Sequence, residues 1–168
     1  MSDDIMKFLH LIGTRDRPHS GRTLFDHLAG TSNLLRSWGC ANAVCDAGLY
    51  HSVYGTNAFR FASVPREQRP IIRSLIGDEA EGLAFLFGST YRPWALLEWV
   101  ETSVLLDRHT AQPILIDEDT RAKLITIECA NLLEQKKGTT FLRHVLTAVE
   151  DGDFVLPPKV LSAIDAGW

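Results

Sequence analysis

Cysteine is scarce in this 168-residue chain. Cys40, Cys45 and Cys129 are the three, and no pair has C-x-x-C spacing. A disulfide framework and a cysteine-rich zinc motif are therefore not expected, and the three read as reduced thiols of a cytoplasmic protein. No apolar run approaches the roughly 20 residues needed to cross a bilayer. The opening MSDDIMKFLH is acidic and lacks the basic start and apolar stretch of a secretory signal. Basic charge is in deficit as well: 17 Lys and Arg stand against 21 Asp and Glu, for a net charge of −4. The cations are scattered, so nucleic acid, which needs a basic face, is not an expected partner. There is no glycine-rich phosphate loop and no nucleophile elbow. Alternation of apolar and polar residues never persists beyond about five positions, so strands are not expected.

What is present is helical periodicity, compatible with one all-α domain over residues 1–168. Residues 3–12 place acids first and apolar residues at helical spacing. The stretch TRDRPHSGR (14–22) reads as a loop. Thr23 and Asp26 resemble a capping box that opens the next helix. Leu24, Leu28, Thr31 and Leu35 fall on one face of it, and Gly39 follows as its stop. Residues 41–51 are small and apolar on nearly every side, which predicts a helix buried in a bundle. A loop is expected over 54–65. A helix over 65–77 follows, starting at Pro65 or, one turn later, at Pro70. Asp78 is expected to cap the helix DEAEGLAFLFGS. Further helices are expected over 94–106, 121–137 and 139–151, with a short tail helix from Pro157, and 112–120 reads as a connector.

Six histidines are candidates for chemistry. His10 and His144 lie on amphipathic helices, and His19 and His109 in polar loops, so all four have ordinary readings. His27 and His51 differ, because each falls on a helix expected to be buried. A buried neutral imidazole needs partners for both ring nitrogens. Either each is satisfied within the core, or the two converge from adjacent helices on a metal ion. Trp94 and Trp99 read as core residues.

Residues 20–56 carry a resemblance. The chain has SGRTLFDHLAGTSNLL followed by DAGLYHSVYGT. These segments are similar to the HD-domain superfamily, and closest to its alarmone hydrolase branch, the RelA/SpoT group, which carries SGxPYxxHP and then AALLHDxxEDT. His27 matches the first metal histidine, and His51 the histidine of the HD pair. VPREQRPIIRSLIGDEAEGLAFLFG (64–88) resembles the family's next segment. TIECANLLEQ stands where the family has LADRLHN, with Glu128 the nearest carboxylate, so the likeness runs over about residues 20–135. The resemblance implies a helical HD-like bundle with a divalent transition metal (Mn, Fe or Zn) on His27, His51 and Glu128. It also implies a small phosphorylated or nucleotide substrate, met by the basic stretch containing Arg15, Arg17 and Arg22.

The chain departs from the family at the residues that do chemistry. Ser52 replaces the HD aspartate, and a hydroxyl supplies no negative charge to an ion or a water. Tyr54 and Gly55 replace the two catalytic acids, and only Thr56 is kept. Leu28 replaces the proline after the first histidine. Two imidazoles and one carboxylate still suit Mn, Fe or Zn. A missing general base typically costs 10²–10⁴-fold. Three readings follow. One is a metal-dependent phosphohydrolase with Ser52 and Tyr54 in catalytic positions and Arg17, Arg22 and Thr56 on the substrate. Another is a non-catalytic ligand-binding relative. The last is an oxygenase on the same scaffold, which would need more ligands than the chain shows.

Overall fold

Helix termini in this chain are set by local chemistry, and their placement decides what reaches the site. The computed structural model describes residues 3–19, 21–98 and 103–167. Helix α1 is Asp3–Leu11. Then comes a two-residue antiparallel hairpin, β1 (Pro18–His19) and β2 (Arg22–Thr23), closed by Gly21 at φ 82°. Helix α2, Leu24–Ser37, opens on the expected capping box. The Thr23 hydroxyl accepts from Asp26 N at 3.1 Å, and Asp26 Oδ2 accepts from Thr23 N at 3.3 Å. Gly39, at φ 80°, donates its N–H to Arg36 O and ends the turn.

Helix α3, Asn42–Tyr50, buries six of its nine residues, as its apolar composition predicts, with His51 as its C-cap. A single 3₁₀ turn, Arg66–Gln68, leads into α4, Arg69–Ile76. Pro70 sits in the first turn of α4, so the later of the two expected starts is the observed one. Asp78 does not cap α5 (Asp78–Ser89). The N-cap is Gly77, and the Asp78 carboxylate pairs instead with Arg73 Nε at 3.1 Å. Helix α7, Glu118–Glu134, starts three residues earlier than expected because the Asp117 side chain accepts from Thr120 N at 2.7 Å. Helices α8 (Thr139–Glu150) and α9 (Pro158–Ala166) complete the chain.

The segment 94–106 is the main departure from helical expectation. Helix α6 covers only Ala95–Glu98, and strand β3 is Val104–Leu106. Trp99 and the stretch between these elements lie outside the described residues, as does Ser20. Strand β3 pairs antiparallel with β4, Pro113–Leu115, so the expected connector is half of a hairpin. Its turn is built by Asp107, whose N–H donates to Gln112 O and whose carboxylate accepts from His109 N at 2.8 Å. No described helix is long and apolar enough to cross a membrane.

The buried apolar residues form two clusters. One joins α1, α2, α3 and α4 through Leu9, Leu24, Leu28, Leu49, Tyr50 and Ile72. The other surrounds α7 and takes in Leu35, Ala47, Phe87, Leu124, Phe141 and Val160. Helices α2, α3 and α7 pack on one another where the clusters meet. Glycines permit that closeness. A Cβ on Gly48 would collide with the Leu35 side chain, and one on Gly30 with the carboxylate of Glu134.

Two glycines of α5 give opposite expectations. A Cβ on Gly88 would lie 2.8 Å from Gly55 O, while one on Gly82 meets nothing within 4 Å. Gly88→Ala should destabilise by about 1–3 kcal/mol through overpacking against the backbone. Gly82→Ala should stabilise by about 0.5–1 kcal/mol by restricting the unfolded chain. Thermal or urea unfolding of the two variants checks both signs.

Candidate metal centre

His27 projects from the first turn of α2, where the capping box sets its phase with the buried face, and His51 closes α3. Both side chains are buried, and their Nε2 atoms face each other at 3.1 Å with the rings nearly perpendicular. Each ring is held from behind. His51 Nδ1 lies 2.7 Å from Gly48 O, a pure acceptor, so Nδ1 carries the proton. His27 Nδ1 lies 2.5 Å from Glu134 Oε2, reaching α2 from the last turn of α7 over Gly30. Arg22 Nη2 grips the other oxygen of Glu134 and also its carbonyl at 3.3 Å.

Burial, first, and then the neighbouring His51 and His19 lower His27 to about 2, against a raising hydrogen bond from the Asn131 side chain. Burial lowers His51 to about 3. Both rings are therefore neutral at pH 7, with Nδ1 protonated and the Nε2 lone pairs aimed at one another. That contact is repulsive unless a cation or a proton lies between them.

A cleft of about 280 Å³ opens on His27 and is lined among others by His19, Ser52, Phe59, Arg92 and Glu128, while His51 lies buried behind His27. Asn131 and Leu132 of α7, with Gln135 and Lys137 just beyond it, line another side. His19, carried by the β1–β2 hairpin, stacks on His27 with ring centroids 4.5 Å apart and leaves its Nε2 buried without a hydrogen-bond partner. Burial, then the charges of Lys137 and Arg22, lower its pKa. On the opposite wall Arg92 Nη1 donates to both oxygens of Glu128, at 2.8 and 2.9 Å. Asn131 Nδ2 adds a third bond to Glu128 at 3.3 Å. The Arg92 guanidinium lies over Phe87, whose edge meets the His51 ring. Burial pushes Glu128 up against the pull of Arg92.

His27 and His51 are brought together, and Ser52 and Glu128 line the same cleft. The structure places the remaining expected site residues outside the cleft. Tyr54 is turned away, and its hydroxyl donates to Glu81 Oε1 at 3.0 Å in a cluster with Arg69 and Arg73. Burial beside Glu81 raises its pKa, which removes it from acid–base work at neutral pH. Thr56 is buried behind the wall, accepting from Phe59 N at 2.9 Å and from Arg92 Nη2 at 3.4 Å. Arg17 stacks on the exposed ring of Phe61, and Arg22 is spent on Glu134. Neither arginine lines the cleft.

Glu128 is the one carboxylate among the described residues lining the cleft, and it is already paired. No group of three or more His, Cys, Asp or Glu side chains among the described residues is arranged around one point to hold an ion. The sequence reading missed Arg92, Glu134 and His19. One local signal was available: Glu128, Asn131 and Gln135 form a polar i, i+3, i+7 stripe on a helix that is otherwise buried and apolar.

Residues 8–92 match a family model described as a domain of unknown function (DUF6817), and the chain belongs to that family. The matched span carries His19, His27, His51 and Arg92, and ends before α7. No curated protein and no solved structure matches the chain.

The depressed His51 makes a pH prediction for the metal-free protein. Below its ordinary 6.5 the unfolded chain takes a proton that the folded chain refuses until about pH 3. Stability contributed by this group is intact above 6.5 and is lost as pH falls through that window. In urea unfolding, His51→Gln should flatten the fall in stability by up to about 1.4 kcal/mol per pH unit. Parallel slopes in wild type and variant would overturn the assignment.

Proposed function

We propose that this DUF6817 protein is a metal-dependent hydrolase of HD-like architecture, acting on a small phosphorylated or nucleotide substrate in the cytoplasm. The observation that carries the reading is the pair of Nε2 atoms 3.1 Å apart, each ring bonded through Nδ1 to an acceptor. Two nitrogen ligands about 2.0–2.1 Å from one ion, at right-angle to tetrahedral spacing, lie roughly 2.8–3.4 Å from each other. The Nδ1 contacts support the same reading. Metal-bound imidazoles usually give their second N–H to a carboxylate or a carbonyl, as His27 and His51 do to Glu134 and Gly48. His27 and His51 would hold the ion, with positions left open toward the cleft. Imidazole ligands suit Mn, Fe or Zn.

When bound, such an ion acidifies a water and polarises a phosphoryl oxygen. The chain itself supplies orientation and charge. Arg92 and Lys137 line the same cleft and would make it favourable to a phosphate. Phe59 and the His19 ring form an aromatic wall beside them, with centroids 4.8 Å apart. Ser52, next to His51, offers a hydroxyl at the cleft surface.

A second reading, a non-catalytic ligand-binding protein, is favoured by one observation: the Glu128 carboxylate is closed on Arg92, so no free acid lines the cleft among the described residues.

Untagged protein titrated with Mn(II) or Zn(II) should bind one equivalent, and His27→Ala and His51→Ala should bind none. A wild type that binds neither ion removes the site. Mn(II)-loaded protein is then screened against nucleotides and phosphomonoesters. Turnover above a His51→Ala control supports the hydrolase. A rise in melting temperature with nucleotide and no turnover supports the binding protein.

A further inference from the structure

Three guanidiniums gather at the C-terminal end of α5, and none of them lines the histidine cleft. Arg66, from the 3₁₀ turn, lies over Phe85 at 4.6 Å from the ring centroid. Its Nη2 donates to Asp107 Oδ2 at 2.5 Å and to Ser89 Oγ at 3.4 Å, and its Nη1 to Asp107 Oδ1 at 3.3 Å. Arg108 is rooted on the same stretch of α5. Its backbone N–H donates to Ser89 O and its Nε to Gly88 O, both at 2.7 Å. Arg60 comes from the loop before the 3₁₀ turn and is brought in by two close backbone approaches. A Cβ on Gly55 would lie 3.1 Å from Arg60 O, and one on Gly88 2.8 Å from Gly55 O.

Asp107 is the carboxylate of this group, and its capacity is taken up. Arg66 occupies both oxygens, and Oδ1 also accepts from His109 N at 2.8 Å. Three positive charges against one negative leave a surplus of two. Neither Arg60 nor Arg108 forms an ion pair among the described residues. Burial first, then the charge of Arg66 and more weakly that of Arg60, lower the pKa of Arg108 against the pull of Asp107 and Tyr91. Crowded like charges cost stability unless an anion joins them. A guanidinium anchored through Nε, with its Nη groups unspent, has the fork that meets an oxyanion.

We propose that Arg60, Arg66 and Arg108 form a second ligand site, apart from the cleft, that takes a phosphate group. A phosphate dianion matches the surplus of two. Arg108 and Arg60 meet its oxygens, while Arg66, held on Asp107, contributes charge. The site stands or falls independently of the metal reading.

The test titrates the ¹⁵N-labelled full chain with inorganic phosphate and follows the Nε–H signals of Arg66 and Arg108 and the backbone amides of Arg108 and His109. These signals should shift and saturate with phosphate, and sodium chloride at equal ionic strength should not reproduce the effect. Arg108→Gln should weaken phosphate about tenfold or more, through the loss of charge-assisted bonds. Arg60→Gln, at an exposed side chain, should weaken it several-fold and keeps the question answerable should Arg108→Gln fail to fold. A phosphoserine peptide binding far more tightly than free phosphoserine would place the phosphate on a protein partner, and equal affinities would place it on a small molecule.

Shifts that do not saturate, that chloride reproduces, or that persist with unchanged affinity in both variants overturn the site. So do saturating shifts confined to the residues of the histidine cleft, which would leave the phosphate reading of that cleft standing.

Discussion

The rest of the site depends on how two imidazoles are held by their outer nitrogens. His51 Nδ1 is tied to Gly48 O and His27 Nδ1 to Glu134, so neither ring can rotate its protonated nitrogen into the gap between them. The two Nε2 atoms are left facing each other in a buried position. Much of the surrounding fold serves that arrangement. Gly48 lets α3 settle against Leu35 of α2, and Gly30 lets the Glu134 side chain cross from α7. The Thr23–Asp26 box starts α2 at the residue that puts His27 on the buried face. Arg22, just before that box, anchors Glu134 and so links the hairpin, α2 and α7 around one carboxylate.

A second buried pair divides the labour. Glu134 is tied to His27 and Arg22, while Glu128, two turns earlier on the same helix, belongs to Arg92. Asn131 lies between them, donating to Glu128 and accepting from Gln135 at 2.9 Å. Removing one partner of such a pair leaves the other charge buried and unpaired, which costs far more than the intact pair contributes. The two carboxylates therefore behave as parts of fixed ion pairs rather than as free ligands.

The sequence disclosed the parts of the site whose placement is local. The capping box and the apolar face of 24–35 put His27 inside, and the apolar run of 41–51 put His51 at the end of a buried helix. Arg92 was not legible, since its depth comes mostly from Thr56, Asn57 and Glu128, all distant in the chain, with Phe87 of the preceding helix beneath its guanidinium. Glu134 needs Gly30 as its complement, and neither residue signals the other. Tyr54 follows His51 by three residues, yet the turn after α3 carries it to the far side, against Glu81. The hairpins were missed because strands of two or three residues have too little alternation to register, and Ser103 and Ala111 take positive φ without being glycine.

Charge limits what the two imidazoles can hold. Ser52 puts a neutral hydroxyl beside His51, and the Glu128 carboxylate in the cleft wall is closed on Arg92. Glu134, behind His27, is matched in the same way by Arg22. Each carboxylate near the pair is thus balanced by an arginine, so a cation entering between the rings would draw its affinity from the imidazole nitrogens more than from net charge.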